Sequence, residues 1–272
     1  EITTGMAGVF VERIIVYPIK SLDGVSVCEC RITDGGSLEH DRLLAIVDEQ
    51  GTFVNAKRFA KIHAIRAVYT EDFRAVTLSA PDNPAHQFSM EDRDRMSLWF
   101  SDFFEMNLRI MQNTQTGFPD DLEASGPTFV ASATLQRVCE WFAESGQGFK
   151  FEEAIRRFRP NVLFGGADSF YEDQLYGGAT FFAGDVTVVG SNPCARCAVP
   201  SRHPLTGEVI QGFSKTLSDA RKKHLPATSN PDHFSHYYRL CLNTRIHSSE
   251  TGKTLRAGDA VQTEWDSWGK IF

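Results

Sequence analysis

No apolar run in this chain of 272 residues comes near the ~18 residues that a membrane-spanning helix requires. The longest clear run, Leu43 to Val47, has the length of a strand. No signal-peptide pattern is visible near the start, so the expectation is a protein with no membrane partner. Positive charge is in deficit: 28 Lys and Arg against 35 Asp and Glu give a net charge of -7, which argues against nucleic acid as a partner. Cysteine is scarce. Cys28, Cys30, Cys139, Cys194, Cys197 and Cys241 are too few for a disulfide scaffold and point to free thiols in a reducing, cytoplasmic setting. A nucleotide-binding glycine loop is missing, since Gly165-Gly166 and Gly177-Gly178 fit neither known pattern. No helix carries two histidines at metal-binding spacing, and there are no repeats.

What is present reads as an ordinary globular protein of one large or two modest domains, with 42% hydrophobic and 23% charged residues. Twenty-one phenylalanines predict a core dominated by aromatic packing. Val9 to Tyr17 is nearly all apolar and β-branched, as a strand buried on both faces would be. Val25 to Ile32 reads as a second strand, with Cys28 and Cys30 on one face. Leu43–Val47 and Thr52–Val54 flank the turn Asp48-Glu49-Gln50-Gly51, and Val76–Ser79 and Leu108–Met111 add short strands. The first hundred residues therefore predict a barrel or sandwich.

Met96, Trp99, Phe100, Phe103 and Phe104 predict a helix over 92–105, and Leu135, Val138, Cys139 and Phe142 a second one capped by Ser132 or Thr134. Gly117 to Pro127 reads as a linker. Strands are expected at Val162–Phe164, Ala179–Phe182, Val186–Val189, Leu240–Ile246 and Ala260–Trp265, with a basic helix over Phe213–His224.

The chemistry concentrates in two places. Pro193-Cys194-Ala195-Arg196-Cys197 sets two thiols beside a fixed positive charge, which favours the thiolate that binds metals or attacks. By spacing alone, structural zinc, dithiol redox chemistry and plain packing all stay open. Lys20-Ser21, Asp41-Arg42 and Arg157, Arg159 and Asn161 stand at strand ends, where sheet proteins assemble sites. Guanidinium forks with an ammonium and a hydroxyl suit a phosphate-bearing ligand. Tyr171-Glu172-Asp173 holds an acidic pair, for which a hydrogen-bonded structural role is favoured over acid catalysis.

Taken in order, these motifs resemble one family. They are Tyr17-Pro18-Ile19-Lys20-Ser21, His40-Asp41-Arg42, Val47-Asp48 with Gly51, Arg157-Phe158-Arg159-Pro160-Asn161, Tyr171-Glu172-Asp173, and Cys194-Ala195-Arg196-Cys197 with Pro204-Leu205-Thr206-Gly207. The chain resembles the MOSC-domain proteins from Val9 to Trp265, closest to the branch of mitochondrial amidoxime-reducing components and their bacterial relatives. The resemblance implies a mainly β chain with a few helices (α+β). A β-rich, barrel-like N-terminal domain over 8–120 would pack on a MOSC β-barrel over 124–268. It also implies a molybdenum–molybdopterin cofactor between them.

By the same resemblance Cys197, the second cysteine of Cys-x-Arg-Cys, is the metal ligand and catalytic residue. Lys20, Ser21 and Arg42 would contact the cofactor from the first domain, and Thr134, Arg159, Asn161 and Arg196 from the second. Leu22 stands where many relatives carry Cys, and Ala195 where a small polar residue is frequent. The membrane anchor of the mitochondrial members and the ferredoxin module of some bacterial ones have no counterpart in this sequence. The implied activity is reduction of N-hydroxylated or N-oxide compounds to amines, with electrons from a separate flavin or iron–sulfur reductase. The alternative is a non-enzymatic protein that binds the cofactor or carries sulfur as a persulfide.

Overall fold

The computed structural model describes residues 8–264. Its first part contains β1 (Phe10–Val16), β2 (Val25–Val27), β3 (Glu29–Arg31), β4 (Leu44–Asp48), β5 (Arg66–Tyr69), β6 (Ala75–Ala80), β7 (Asn83–Ser89), α1 (Arg93–Phe104) and β8 (Leu108–Gln112). There follow β9 (Phe129–Ala131), α2 (Ser132–Glu144), α3 (Phe151–Phe158), β10 (Val162–Gly165), β11 (Thr180–Ala183), β12 (Val186–Ala195), α4 (Phe213–Lys223), β13 (Arg239–Arg245), β14 (Thr254–Arg256) and β15 (Val261–Thr263). The fold is strand-dominated α+β.

One sheet runs in the order β15-β11-β12-β13-β9-β10-β1-β2. All its neighbours are antiparallel except β9 and β10. A parallel pair needs a long crossover, and α2 and α3 supply it. The sheet closes on itself: Phe10 bridges Ala260, and the N–H of Val261 donates to Val9 O at 2.8 Å. Closure leaves no open edge at that seam. Phenylalanines fill the barrel, with Phe129 stacked on Phe164 at 5.1 Å and edge-on to Phe181 at 5.3 Å. The three helices α2, α3 and α4 cover the outside of the same wall, over Ile15, Tyr17, Val130 and Leu163. So the Ile14–Val16 end of β1 is buried on both faces, as its apolar run requires, while Glu12 in the first half is exposed.

A second core gathers β4–β8, the β5-β6-β7 meander and α1 around Ile19, Leu44, Ile46, Met96 and Phe100. The carboxylate of Asp92 caps α1 by accepting from the N–H of Arg95. The spatial units are not contiguous in sequence. The first two strands belong to the barrel sheet, and β3 pairs with β14.

Several elements differ from the sequence expectation. The run Val25–Ile32 is two strands with different partners, so Cys28 is exposed while Cys30 is buried. Neither Ser132 nor Thr134 caps α2: its N-cap is Ala131, and the two hydroxyls turn instead to Glu12 and Glu172. Thr52–Val54 makes only the single bridge Val47–Phe53, although Asp48 closes the turn by accepting from the N–H groups of Gln50 and Thr52. The strand expected at 186–189 continues through register shifts around Gly190 and Pro193 as far as Ala195, and so delivers Cys194 from its end. A side chain at Gly190 would strike Leu175 O, which fixes glycine there. Trp265 lies outside the described residues.

Candidate functional site

Between the barrel and the second core lies a cleft of about 990 Å³. Lys20, Ser21, Arg42, Arg159, Asn161, Cys194, Arg196 and Cys197 all line it, although up to 177 residues of chain separate Lys20 from Cys197. Three of these residues adopt the left-handed backbone that non-glycine residues rarely take: Ser21 at φ +73°, Arg42 at +49° and Arg159 at +50°. Such strain persists where the surroundings enforce it, and it collects at functional sites. For Arg159 the cause is local, because it is the left-handed C-cap that ends α3.

The cations differ in how far they are engaged. Lys20 is 7% exposed and donates through Nζ to Phe118 O at 2.8 Å and Asp120 Oδ1 at 2.7 Å. Arg42 donates to Asp41 and, at 3.3 Å, to Asn161 Oδ1. Asp41 is itself fixed by the N–H of Tyr17, 2.8 Å away. Arg196 directs its guanidinium at backbone carbonyls, Leu240 O and Phe158 O, and so holds the cysteine loop to β13 and α3. Arg157 grips the next stretch, donating to Pro200 O and Arg202 O at 2.8 Å. Arg159 alone of this set makes no side-chain hydrogen bond or ion pair with any described residue.

Asn161 is buried and fully engaged. Its amide donates to Ile15 O at 3.0 Å, and its oxygen accepts from Thr128 and Arg42. It therefore positions Arg42 at the barrel rim more than it offers a free contact. Thr134 does not line the cleft. Its side chain is fully buried, donating to Glu172 and accepting from the N–H of Phe170. The family resemblance placed it among the cofactor contacts, but α2 holds it against Glu172 and Phe170.

Two thiols face the cleft. The N–H of Val199 donates to Cys197 Sγ at 3.4 Å, and Tyr238 Oη donates to the Cys197 carbonyl at 3.0 Å. Burial pushes the Cys30 and Cys241 thiols up to about 12 and Cys139 up to about 11, away from the reactive anion. All six cysteines are free. Among the described residues, no group of three or more His, Cys, Asp or Glu could hold a metal by itself.

Glu172 and Asp173 lie off the cleft, at 1% and 2% exposure. Asp173 pairs with Arg221 at 2.5 Å and accepts from Ser229, which ties α4 and the following loop to the barrel. Burial, with Asp173 beside it, pushes the Glu172 carboxyl up to about 8.

Sequence reasoning missed three contributors. Tyr17 carries both Arg42 and Arg159 on its ring, at 5.2 and 4.1 Å. His63 lines the cleft and is pushed down to about 4 by burial and the charges of Arg159 and Arg202, so it is neutral at pH 7. Asp120 comes from the segment read as a linker, which in fact forms part of the cleft wall. Its proximity to Pro119 gave only a turn signal.

Comparison with known proteins agrees with this two-part construction. The chain matches the MOSC N-terminal beta barrel domain over residues 8–163 and the MOSC domain over 128–262. It is 25% identical to human mitochondrial amidoxime reducing component 2, over 92% of this chain and 82% of the relative. The figures for the same component from Macaca fascicularis are 24%, 92% and 82%. Molybdenum cofactor sulfurase of Oryza sativa subsp. japonica is 22% identical over 80% of this chain but only 31% of its own length. With the MOSC N-terminal beta barrel domain and the MOSC domain both matched, the chain belongs to the MOSC-domain family.

Proposed function

We propose that this protein is a molybdenum-cofactor-dependent oxidoreductase that reduces N-hydroxylated or N-oxide compounds, such as amidoximes and hydroxylamines, to amines. The observation that carries the reading is the donor set of the cleft. The cleft offers a soft thiol, Cys197, together with cations, of which Arg159 makes no side-chain hydrogen bond or ion pair with any described residue. Soft thiolate suits a soft metal, and guanidinium suits phosphate. Because no cluster of His, Cys, Asp or Glu among the described residues completes a metal site, the remaining ligands of a metal at Cys197 would come from the cofactor itself.

Cys197 would hold the metal, while Lys20, Ser21, Arg42 and Arg159 would hold the phosphate-bearing end. Arg196 and Asn161 would keep the walls in place. When bound, the cofactor supplies a centre for two-electron reduction. In the overall reaction the N–O bond breaks, two electrons arrive from a separate reductase, and two protons leave with the oxygen as water. Neutral His63 lines the same cleft. We place the reaction in a reducing, cytoplasmic setting, which the six free thiols support.

The second reading is a cofactor-binding or persulfide-carrying protein without turnover, which the likeness to the sulfurase supports. The near end-to-end match to the amidoxime reducing components favours the enzyme. Turnover of an amidoxime with a chemical or enzymatic electron donor distinguishes the two: the enzyme reduces it, and the carrier holds cofactor or sulfur and does not.

A further inference from the structure

We propose that Asp120 occupies the anion-binding point of the cleft, and that the phosphate of an incoming ligand takes its place there. The carboxylate stands 2.7 Å from Lys20 Nζ. Its charge also acts on Arg42 and Arg159, and Lys57 acts on it in turn. Lys20 thus touches the carboxylate, and Arg42, Lys57 and Arg159 line the same cleft around it. The other acid of the cluster, Asp41, is already committed to Arg42 and to the N–H of Tyr17.

Asp120 is weakly held for a group at such a focus. Its one side-chain hydrogen bond is the one from Lys20. Burial alone would push its carboxyl up, but Lys20, then Arg42 and Lys57, hold it well below the usual range, so it stays charged at any working pH. Although protein surrounds it on most sides, its side chain keeps 64% of its surface open to the water of the cleft. A carboxylate with a single hydrogen bond and open space beside it can be displaced.

The backbone around it cannot easily follow. Phe118 N–H donates to Arg42 O at 2.9 Å, and Gly126 N–H to Thr244 O at 3.0 Å. Gly117 packs so closely on Asp41 O that no side chain would fit. Exchange therefore requires only rotation of the Asp120 side chain. A phosphate has more charge and more acceptor oxygens than a carboxylate, so it satisfies Lys20 and the unpartnered Arg159 together. Asp120 keeps the cation cluster neutralised until the ligand arrives, at the cost of competing with it.

The identity of the ligand rests on the function proposed above, but the anion point does not. The test titrates cofactor-free wild type, Asp120→Asn and Asp120→Ala with inorganic phosphate by calorimetry at low ionic strength. Asparagine keeps the Lys20 hydrogen bond, which protects the fold if alanine does not. Both variants are expected to bind phosphate about tenfold more tightly than wild type, and Lys20→Met in the Asp120→Asn background to lose the gain. Equal or weaker binding in folded Asp120→Asn overturns the proposal, as does a gain that survives Lys20→Met. Molybdenum content of the same three sequences is read separately, on protein freshly purified from a host that makes the cofactor. A phosphate gain without molybdenum in any of them leaves the anion point standing and removes the cofactor reading. Molybdenum without the gain does the reverse.

Discussion

The guanidinium of Arg159 sits 4.1 Å from the centre of the Tyr17 ring, and it makes no side-chain hydrogen bond or ion pair with any described residue. Arg42 shares the ring from 5.2 Å, so two like charges meet on one aromatic surface. Burial and the nearby Arg42 both disfavour the charged form of Arg159, with Tyr17 opposing them. A desolvated cation with no direct ion pair, offset only by the more distant carboxylates of Asp120 and Asp23, is costly in the absence of a ligand. It becomes an asset only when an anion binds.

Arg159→Met should therefore separate stability from binding. The cofactor-free protein is expected to gain on the order of 1 kcal/mol in urea unfolding, while molybdenum content after expression falls. A variant that loses stability without ligand would show that Arg159 is a structural cation.

Arg221 makes the opposite case. It is 1% exposed, paired with buried Asp173, and stacked against Phe170 at 4.3 Å and Phe234 at 5.0 Å. Removing one partner leaves a buried charge alone, so Arg221→Ala should cost about 3–5 kcal/mol. Denaturant midpoints at pH 7 measure this. A loss below ~1 kcal/mol would mean the pair is not buried in solution.

Glu172 gives the protein a pH signature. Its carboxyl is pushed from an ordinary 4.5 to about 8 by burial first and by Asp173 second, against the smaller opposing effect of Arg221. The folded state thus holds a proton that the unfolded chain releases near 4.5, and its stabilising effect is complete below that value. It is lost as pH rises toward 8 and is gone above it. Glu172→Gln removes the titration, so its stability should improve relative to wild type between pH 5 and pH 9, by a few kcal/mol at most. Parallel urea-stability profiles for the two proteins would contradict the assignment.

Apart from the three-residue β9, the barrel strands were legible because of their apolar, β-branched runs, and α1 because five aromatic and Met side chains repeat at helical spacing. The strands β5, β7 and β14 and the helix α3 were not. β14 has three residues, β7 reads Asn-Pro-Ala-His-Gln-Phe-Ser with no β-branched residue, and α3 has eight residues, four of them charged. Of the site, Lys20, Arg42, Arg159 and Cys197 carry their chemistry in motifs a reader can see. Tyr17 and Asp120 do not, because their roles exist only once β1 and the 117–127 segment are brought against the cations. Thr134 entered by resemblance alone, and the sequence does not show that its hydroxyl is engaged by Glu172 and Phe170 away from the cleft.

Cys194 and Cys197 line the same cleft three residues apart, and the account assigns the metal to Cys197 alone. The most direct measurement is molybdenum per chain, by elemental analysis of freshly purified wild type, Cys197→Ser and Cys194→Ser from a host that makes the cofactor. The account predicts molybdenum in wild type and in Cys194→Ser, and its loss in Cys197→Ser. A wild type without molybdenum, or a Cys197→Ser protein that keeps it, would contradict the central claim.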